Sequence, residues 1–425
     1  MPAAAPGRPV SLFRRPQPDR ALRQGLKSVD EADRLPLPIL NSYYCPCPRG
    51  LEPALAAELA ALGAVDVVAT GGGAACRGPL ALAYRLNLEA RLPSRVLLRL
   101  GAAPYRTTDD LYRLAHDFEW EDWFGPERTL RVDITAVRSP LASIAFATLR
   151  IKDGIVDRLR ARTGRRPSID TAAPDVRVVV YLHGEESTVY LDLSGEPLFK
   201  RGWRAGRDTH GAAPLKENLA AGLLALAGWQ PQMPLLDLFC GAGTIVIEAA
   251  QLALGRPPGG NRGFGIERLA LHDPALARDT AEAARQVEQQ RTAAQRETPL
   301  QIGASDIDGG AVALARANLE RAGVPAAAVR FEIVDAIAAR PPWPEAGLIV
   351  SNPPYDERVP IEVSTWRAFG ATLRGHFGGW NAFLLAGDRG LPGRLGLRES
   401  RKTPLFNGAI ECRLFEFRMR KREPD

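Results

Sequence analysis

The residues best suited to chemistry are Asn352-Pro353-Pro354-Tyr355, which follow the run Leu348-Ile349-Val350-Ser351. An apolar run that stops in a stiff loop reads as a buried strand with Asn352 just past its carboxyl end, where open α/β sheets bind ligands. The Asn352 amide oxygen and the Pro353 carbonyl are two acceptors, and prolines hold such groups in place by fixing φ. Two fixed acceptors suit transfer to an amino group conjugated with a ring or carbonyl. They take its N–H groups and aim a lone pair that is otherwise delocalised. Tyr355 offers a ring for stacking on a flat substrate. The same four residues also fit a plain Pro-rich turn, so the weight of this reading depends on the rest of the chain.

A second constellation is Leu235-Leu236-Asp237-Leu238-Phe239-Cys240-Gly241-Ala242-Gly243-Thr244, followed by a helix from Ile245 to Ala253. Strand, glycine turn and helix bring backbone close to a ligand and present the free N–H groups of a helix start. The third glycine of a dinucleotide fingerprint is missing. The turn resembles the S-adenosylmethionine loop of class I methyltransferases. Cys240 reads as a small turn residue, because no base is evident to activate its thiol. A ribose-binding acid is expected at the end of the next strand. Glu267 lies nearer the usual spacing, but Asp306 follows a better strand (Leu300 to Ser305) and precedes a helix, Ala311 to Ala322. Asp306 is therefore the choice, and Leu269 to Glu297 becomes a helical insertion. Asp335 ends a third strand and is placed to accept from an adenine amino group.

The composition bounds these readings. The 425 residues allow two or three domains, and 45% hydrophobic with 24% charged residues is ordinary for a globular protein. A net charge of +6 permits a polyanionic partner without requiring one. Five cysteines form no paired metal spacing, Cys45-x-Cys47 is too tight for a zinc knuckle, and the histidines form no HExxH, so no metal is expected. No apolar run is long enough to span a bilayer and no signal-peptide core is present, which predicts a cytoplasmic protein without membrane contact. A monomer is expected.

The elements ahead of the glycine turn fall into three stretches. Residues 1–40 carry seven Lys/Arg against four Asp/Glu and read as a basic disordered tail. Residues 41–105 alternate short strands and helices as a ferredoxin-like unit does. Residues 106–200 contain the basic stretch Arg138 to Arg166, with eight Lys/Arg against two Asp/Glu. Its helix sets Ile151, Ile155 and Leu159 on one side, and Lys152, Arg158, Arg165 and Arg166 are candidate RNA phosphate contacts, a solvated face being the alternative. Ile151-Lys152-Asp153-Gly154-Ile155, Gly164-Arg165-Arg166-Pro167 and Leu191-Asp192-Leu193-Ser194-Gly195 resemble a THUMP domain, an RNA-binding module of RNA-modifying enzymes.

Taken together, from about Tyr43 to the last strand, the chain resembles the bacterial 23S ribosomal RNA guanine-N2 methyltransferases. The resemblance rests on the Asp237 loop, Ser305-Asp306-Ile307-Asp308, Asn352 to Tyr355 and Asn407 to Cys412. Leu238-Phe239 stands where Pro-Met is common, and Asp356 where glycine is common. Some relatives carry a second methyltransferase domain, which this chain is expected to lack. The resemblance implies a Rossmann-like class I methyltransferase sheet (205–425) behind an α+β ferredoxin-like and THUMP region, with S-adenosylmethionine as cofactor. Asn352, Pro353, Pro354 and Tyr355 would be catalytic. Asp237, Phe239, Gly241, Gly243, Thr244, Asp306, Ile307, Asp335 and Asn352 would hold the cofactor. The implied partner is 23S ribosomal RNA or a large-subunit assembly intermediate. An N6-adenine methyltransferase, a protein-glutamine methyltransferase and a non-catalytic RNA-binding assembly protein remain alternatives.

Overall fold

The computed structural model describes residues 40–204, 215–354 and 362–421. Tyr355, Asp356 and all but the last residue of the basic tail lie outside them. The described residues build two seven-stranded sheets, in the α/β arrangement expected, with an α+β region ahead of a mostly parallel sheet. The first is formed by β1 (Asn41–Pro46), β2 (Val65–Thr70), β3 (Gly73–Gly78), β4 (Leu97–Pro104), β5 (Leu130–Val137), β6 (Val176–His183) and β7 (Glu186–Asp192). Its order is β2-β3-β1-β4-β7-β6-β5. The ferredoxin-like and THUMP stretches therefore share one sheet, joined where β4 pairs antiparallel with β7 from Leu97 opposite Asp192 to Pro104 opposite Glu186.

β3 is not legible in the sequence. Gly73-Ala74-Ala75-Cys76-Arg77-Gly78 has little intrinsic strand preference. It is held by six antiparallel rungs to β1, with Ala74 and Cys76 buried beneath. The helix Ile144–Thr163 is as the pattern predicts. Ser143 accepts the Phe146 N–H at its start, Gly164 closes it at φ 72°, and Ile151, Ile155 and Leu159 face the core.

The second sheet consists of β8 (Leu235–Asp237), β9 (Ile302–Asp306), β10 (Arg330–Ile333), β11 (Leu348–Ser351), β12 (Asn381–Ala386), β13 (Arg401–Asn407) and β14 (Ile410–Arg418), in the order β10-β9-β8-β11-β12-β14-β13. Strands β8 to β12 are parallel, whereas β14 runs antiparallel against β12. Strand order reverses between β8 and β11. That switch point opens a crevice at their carboxyl ends.

The two halves are fused. Leu51, just after β1, is fully buried in the core of the second half. A Cβ at Gly222 would come within 2.4 Å of its Cδ1, so only glycine lets the helix Glu217–Ala227 approach so closely. Ile266 conversely packs in the core of the first half. Each fully buried Leu or Ile is worth about 1.5–3 kcal/mol. Among the described residues no helix is long and apolar enough to cross a membrane.

Candidate active site

Parallel pairing of β8 with β11, Leu235 opposite Leu348 and Leu236 opposite Ile349, brings Asp237 and Ser351 to the same edge. The Ser351 hydroxyl accepts the Leu238 N–H at 2.9 Å. Asp237 is 1% exposed, and burial pushes its carboxyl up to about 7. Hydrogen bonds from Ser351 and the Phe239 N–H oppose that rise, while the charge of Asp306 adds to it. Ser351 has no place in the sequence reading, although a hydroxyl ending an apolar strand was a usable signal.

The glycine turn leaves open space. Gly241 (φ 50°) and Gly243 (φ 81°) adopt left-handed backbone, and a Cβ at Gly241 would meet nothing within 4 Å. The helix Thr244–Ala253 starts directly behind the turn. Thr244 itself is 6% exposed, and its hydroxyl accepts from Arg204 Nη2 at 2.8 Å. Its side chain is thus committed to structure, and only its backbone N–H is left for a ligand. Cys240 is buried, which pushes its thiol up and fits the reading of an inert turn residue.

Asp306 ends β9 and ties the turn down. One oxygen accepts the Gly241 N–H at 2.9 Å and the other the Asp308 N–H at 3.0 Å. Glu267 sits elsewhere, accepting the Phe264 N–H at 3.0 Å in a 3-10 turn whose Ile266 N–H bonds Leu193 of the first half. Asp335 lies two residues past β10 and caps the next turn through the Ile337 N–H at 3.1 Å. Ile307 and Ile333 are exposed at this edge, at 69% and 63%, an apolar shelf suited to a flat ring. Phe239 stands across the turn, edge-on to Phe369 with centroids 5.2 Å apart.

Asn352 follows β11 directly, with Pro353 buried behind it and Pro354 half-buried. The Asn352 Oδ1 is buried and has no hydrogen-bond partner among the described residues. An orphaned acceptor of this kind costs about 1–3 kcal/mol unless a ligand supplies a donor. Among the described residues no group of three or more His, Cys, Asp and Glu side chains is placed to hold a metal ion.

The candidate RNA contacts divide. Arg158 is clamped on Glu121, with Nη2 2.6 Å from Oε1, and Lys152 pairs with Asp153 at 2.7 Å. Arg165 and Arg166 are exposed and in no ion pair among the described residues.

Three family models match the chain. Residues 42–97 match the RlmL ferredoxin-like domain and residues 105–192 the THUMP domain. Residues 203–416, half of the chain, match the RMKL-like methyltransferase domain. The chain belongs to that family. A ribosomal RNA large subunit methyltransferase K/L of Methylococcus capsulatus is 39% identical to it over 391 residues, 90% of this chain and 52% of that protein. The protein of the same name from Syntrophotalea carbinolica is 40% identical over 388 residues, 88% of this chain and 53% of that one. The chain thus spans about half the length of the curated relatives it matches. A putative methyltransferase solved in complex with SAH superposes with a TM-score of 0.80 at 26% identity, covering 91% of this chain and all of that one. In the RMKL-like domain the four strand-end positions Asp237, Asp306, Asp335 and Asn352 all face the carboxyl edge of one sheet.

Proposed function

We propose that this chain is an S-adenosylmethionine-dependent methyltransferase that modifies the exocyclic N2 of a guanine in 23S ribosomal RNA, free or within a large-subunit assembly intermediate in the cytoplasm. The names of the two curated relatives and the SAH-bound neighbour support the substrate and cofactor classes. The observation that carries the reading is the buried Asn352 Oδ1 at the switch point, without a hydrogen-bond partner among the described residues and beside an open glycine turn.

The residues fit the cofactor. Asp306 would hold the ribose hydroxyls, Ile307 and Ile333 would pack on the adenine faces, Asp335 would take its amino group, and Asp237 would face the cationic part. When bound, S-adenosylmethionine supplies an activated methyl group. Guanine N2 is amide-like and neutral at pH 7, and it becomes acidic only as the new bond forms and then releases its proton to water, so no strong base is needed beforehand. Asn352 Oδ1 and the Pro353 carbonyl accept its two N–H groups at about 2.9 Å and orient the lone pair. The buried Pro353 keeps both acceptors from relaxing away. Tyr355, outside the described residues, would stack on the base.

Transfer of labelled methyl to total ribosomal RNA, followed by nucleoside mass analysis, tests the proposal. N2-methylguanosine is the expected product. A methyl on adenine N6 would move the substrate class to the second reading, and no transfer to any nucleic acid would leave a binding protein.

A further inference from the structure

A cavity of about 470 Å³ opens beside the reaction crevice, where the two halves of the chain meet. Its walls come from the segment after β1, from the start of the helix Glu217–Ala227 and from the β13–β14 turn. That turn stands on the carboxyl edge of the sheet, because β14 runs antiparallel to β12 with Arg413 opposite Ala386. The helix start reaches the same edge through Glu217, which pairs with Arg204 at 2.6 Å, and Arg204 in turn holds Thr244 behind the glycine turn. Neither Asn352 nor any residue of the glycine turn lines the cavity. It is a separate pocket, of ligand-binding size.

Its chemistry is specific. Asn218 is 1% exposed, and its Nδ2 donates to the Leu92 carbonyl and to Ser94 Oγ, each at 3.2 Å. Its Oδ1 is buried and has no hydrogen-bond partner among the described residues, an acceptor on a side chain that lines the pocket. At the mouth, Arg49 and Lys216 face no carboxylate among the described residues. Each lies over a ring instead, Arg49 5.7 Å from the Phe406 centroid and Lys216 4.8 Å from that of Phe199. Two cations without a carboxylate partner call for an anion, the Phe406 ring for a flat group, and the unpartnered amide oxygen for a hydroxyl or amino donor. A nucleotide of single-stranded RNA carries all three.

We infer that this pocket receives a nucleotide flanking the modified one, its phosphate on Arg49 and Lys216 and a sugar hydroxyl or base amino group on Asn218 Oδ1. The inference rests on the proposed RNA-methylating function. The test uses the full chain, a short single-stranded oligoribonucleotide taken from the methylated region, and the deoxy strand of the same sequence. Arg49→Gln with Lys216→Gln should weaken RNA binding about 10-fold at physiological salt. The same change should lower the log–log salt slope by roughly 0.7 for each phosphate no longer neutralised. Cofactor affinity should stay unchanged. Asn218→Leu should weaken RNA binding with the salt slope intact. Loss confined to the ribose strand assigns the 2′-hydroxyl as donor, and equal loss on both strands assigns a base amino group. A double variant that binds RNA with wild-type affinity and slope overturns the pocket while leaving the methylation reading standing. A wild-type chain that neither binds nor methylates RNA overturns both.

Discussion

Arg201 donates from Nε to Glu248 Oε1 at 3.1 Å, and the two side chains are 1% and 0% exposed. Arg91 approaches the other carboxylate oxygen at 3.2 Å. One buried acid thus binds the ferredoxin-like region, the segment leaving the THUMP region and the helix behind the glycine turn. Removing one member leaves an uncompensated buried charge, which costs about 3–5 kcal/mol. Glu248→Gln is expected to lose stability on that scale in denaturant titration. Because the pair joins the halves, far-UV and tryptophan signals should separate into two transitions; an unshifted single transition would show that the clasp is dispensable.

Asp306 is expected to matter for cofactor binding and Glu267 not. Asp306→Ala removes a charged acceptor and frees the Gly241 N–H, so affinity should fall by roughly 1.5–3 kcal/mol, about 10- to 150-fold. Calorimetric titration of both variants with S-adenosylmethionine decides between them. A strong loss at Glu267 with none at Asp306 would reverse the assignment.

Asp237 makes binding and stability depend on pH. In the folded chain its carboxyl is raised to about 7, against about 3.9 in an unfolded chain. A raised acid contributes stability fully below the unfolded value and loses it as pH climbs through the folded one. The ligand-free protein should therefore lose stability between roughly pH 4 and 7. Asp237→Asn, with no proton to release, should remove that part of the slope in denaturant curves. A cationic ligand favours the ionised carboxylate, so wild-type affinity for S-adenosylmethionine should rise through about pH 7 while the variant's stays flat.

Asn352→Ala should lower turnover on the order of 10²–10³-fold, as loss of one preorganised polar group does. Cofactor affinity should change little, since the amide oxygen serves the acceptor base. Single-turnover methylation with saturating cofactor gives the number, and a fully active variant would end the proposed role.

Of the four basic residues singled out in the THUMP region, Arg165 and Arg166 should supply the RNA contacts. Neutralising both should lower the salt slope of RNA binding by roughly 0.7 for each phosphate left without its cation, with stability unchanged. Arg158→Gln should instead leave Glu121 with Arg162 alone, 3.3 Å away, and lower the melting temperature, because the Arg158 side chain is only 12% exposed. A reversed pattern of salt slope and melting temperature would mean that the ion pair opens to admit RNA.

Whatever depends on local pattern is legible in the residues alone. Apolar runs ending in Asp237, Asp306 and Asn352 marked buried parallel strands, because a strand covered on both faces must be apolar throughout. Glycines at 241 and 243 marked the turn, and the 3.6-residue period placed Ile151, Ile155 and Leu159 on the core side of their helix. What depends on partners distant in the chain emerges with the fold. β3 exists because β1 and β2 hold a run of weak formers between them, and the two N-terminal regions share a sheet because β4 meets β7. Arg158 and Thr244 look available in the sequence, yet Glu121 and Arg204 engage them from 37 and 40 residues away. The Asn218 pocket needs four segments spread over most of the chain. Local periodicity reports which face of an element is buried; it carries no record of which side chain will occupy the other side of the contact.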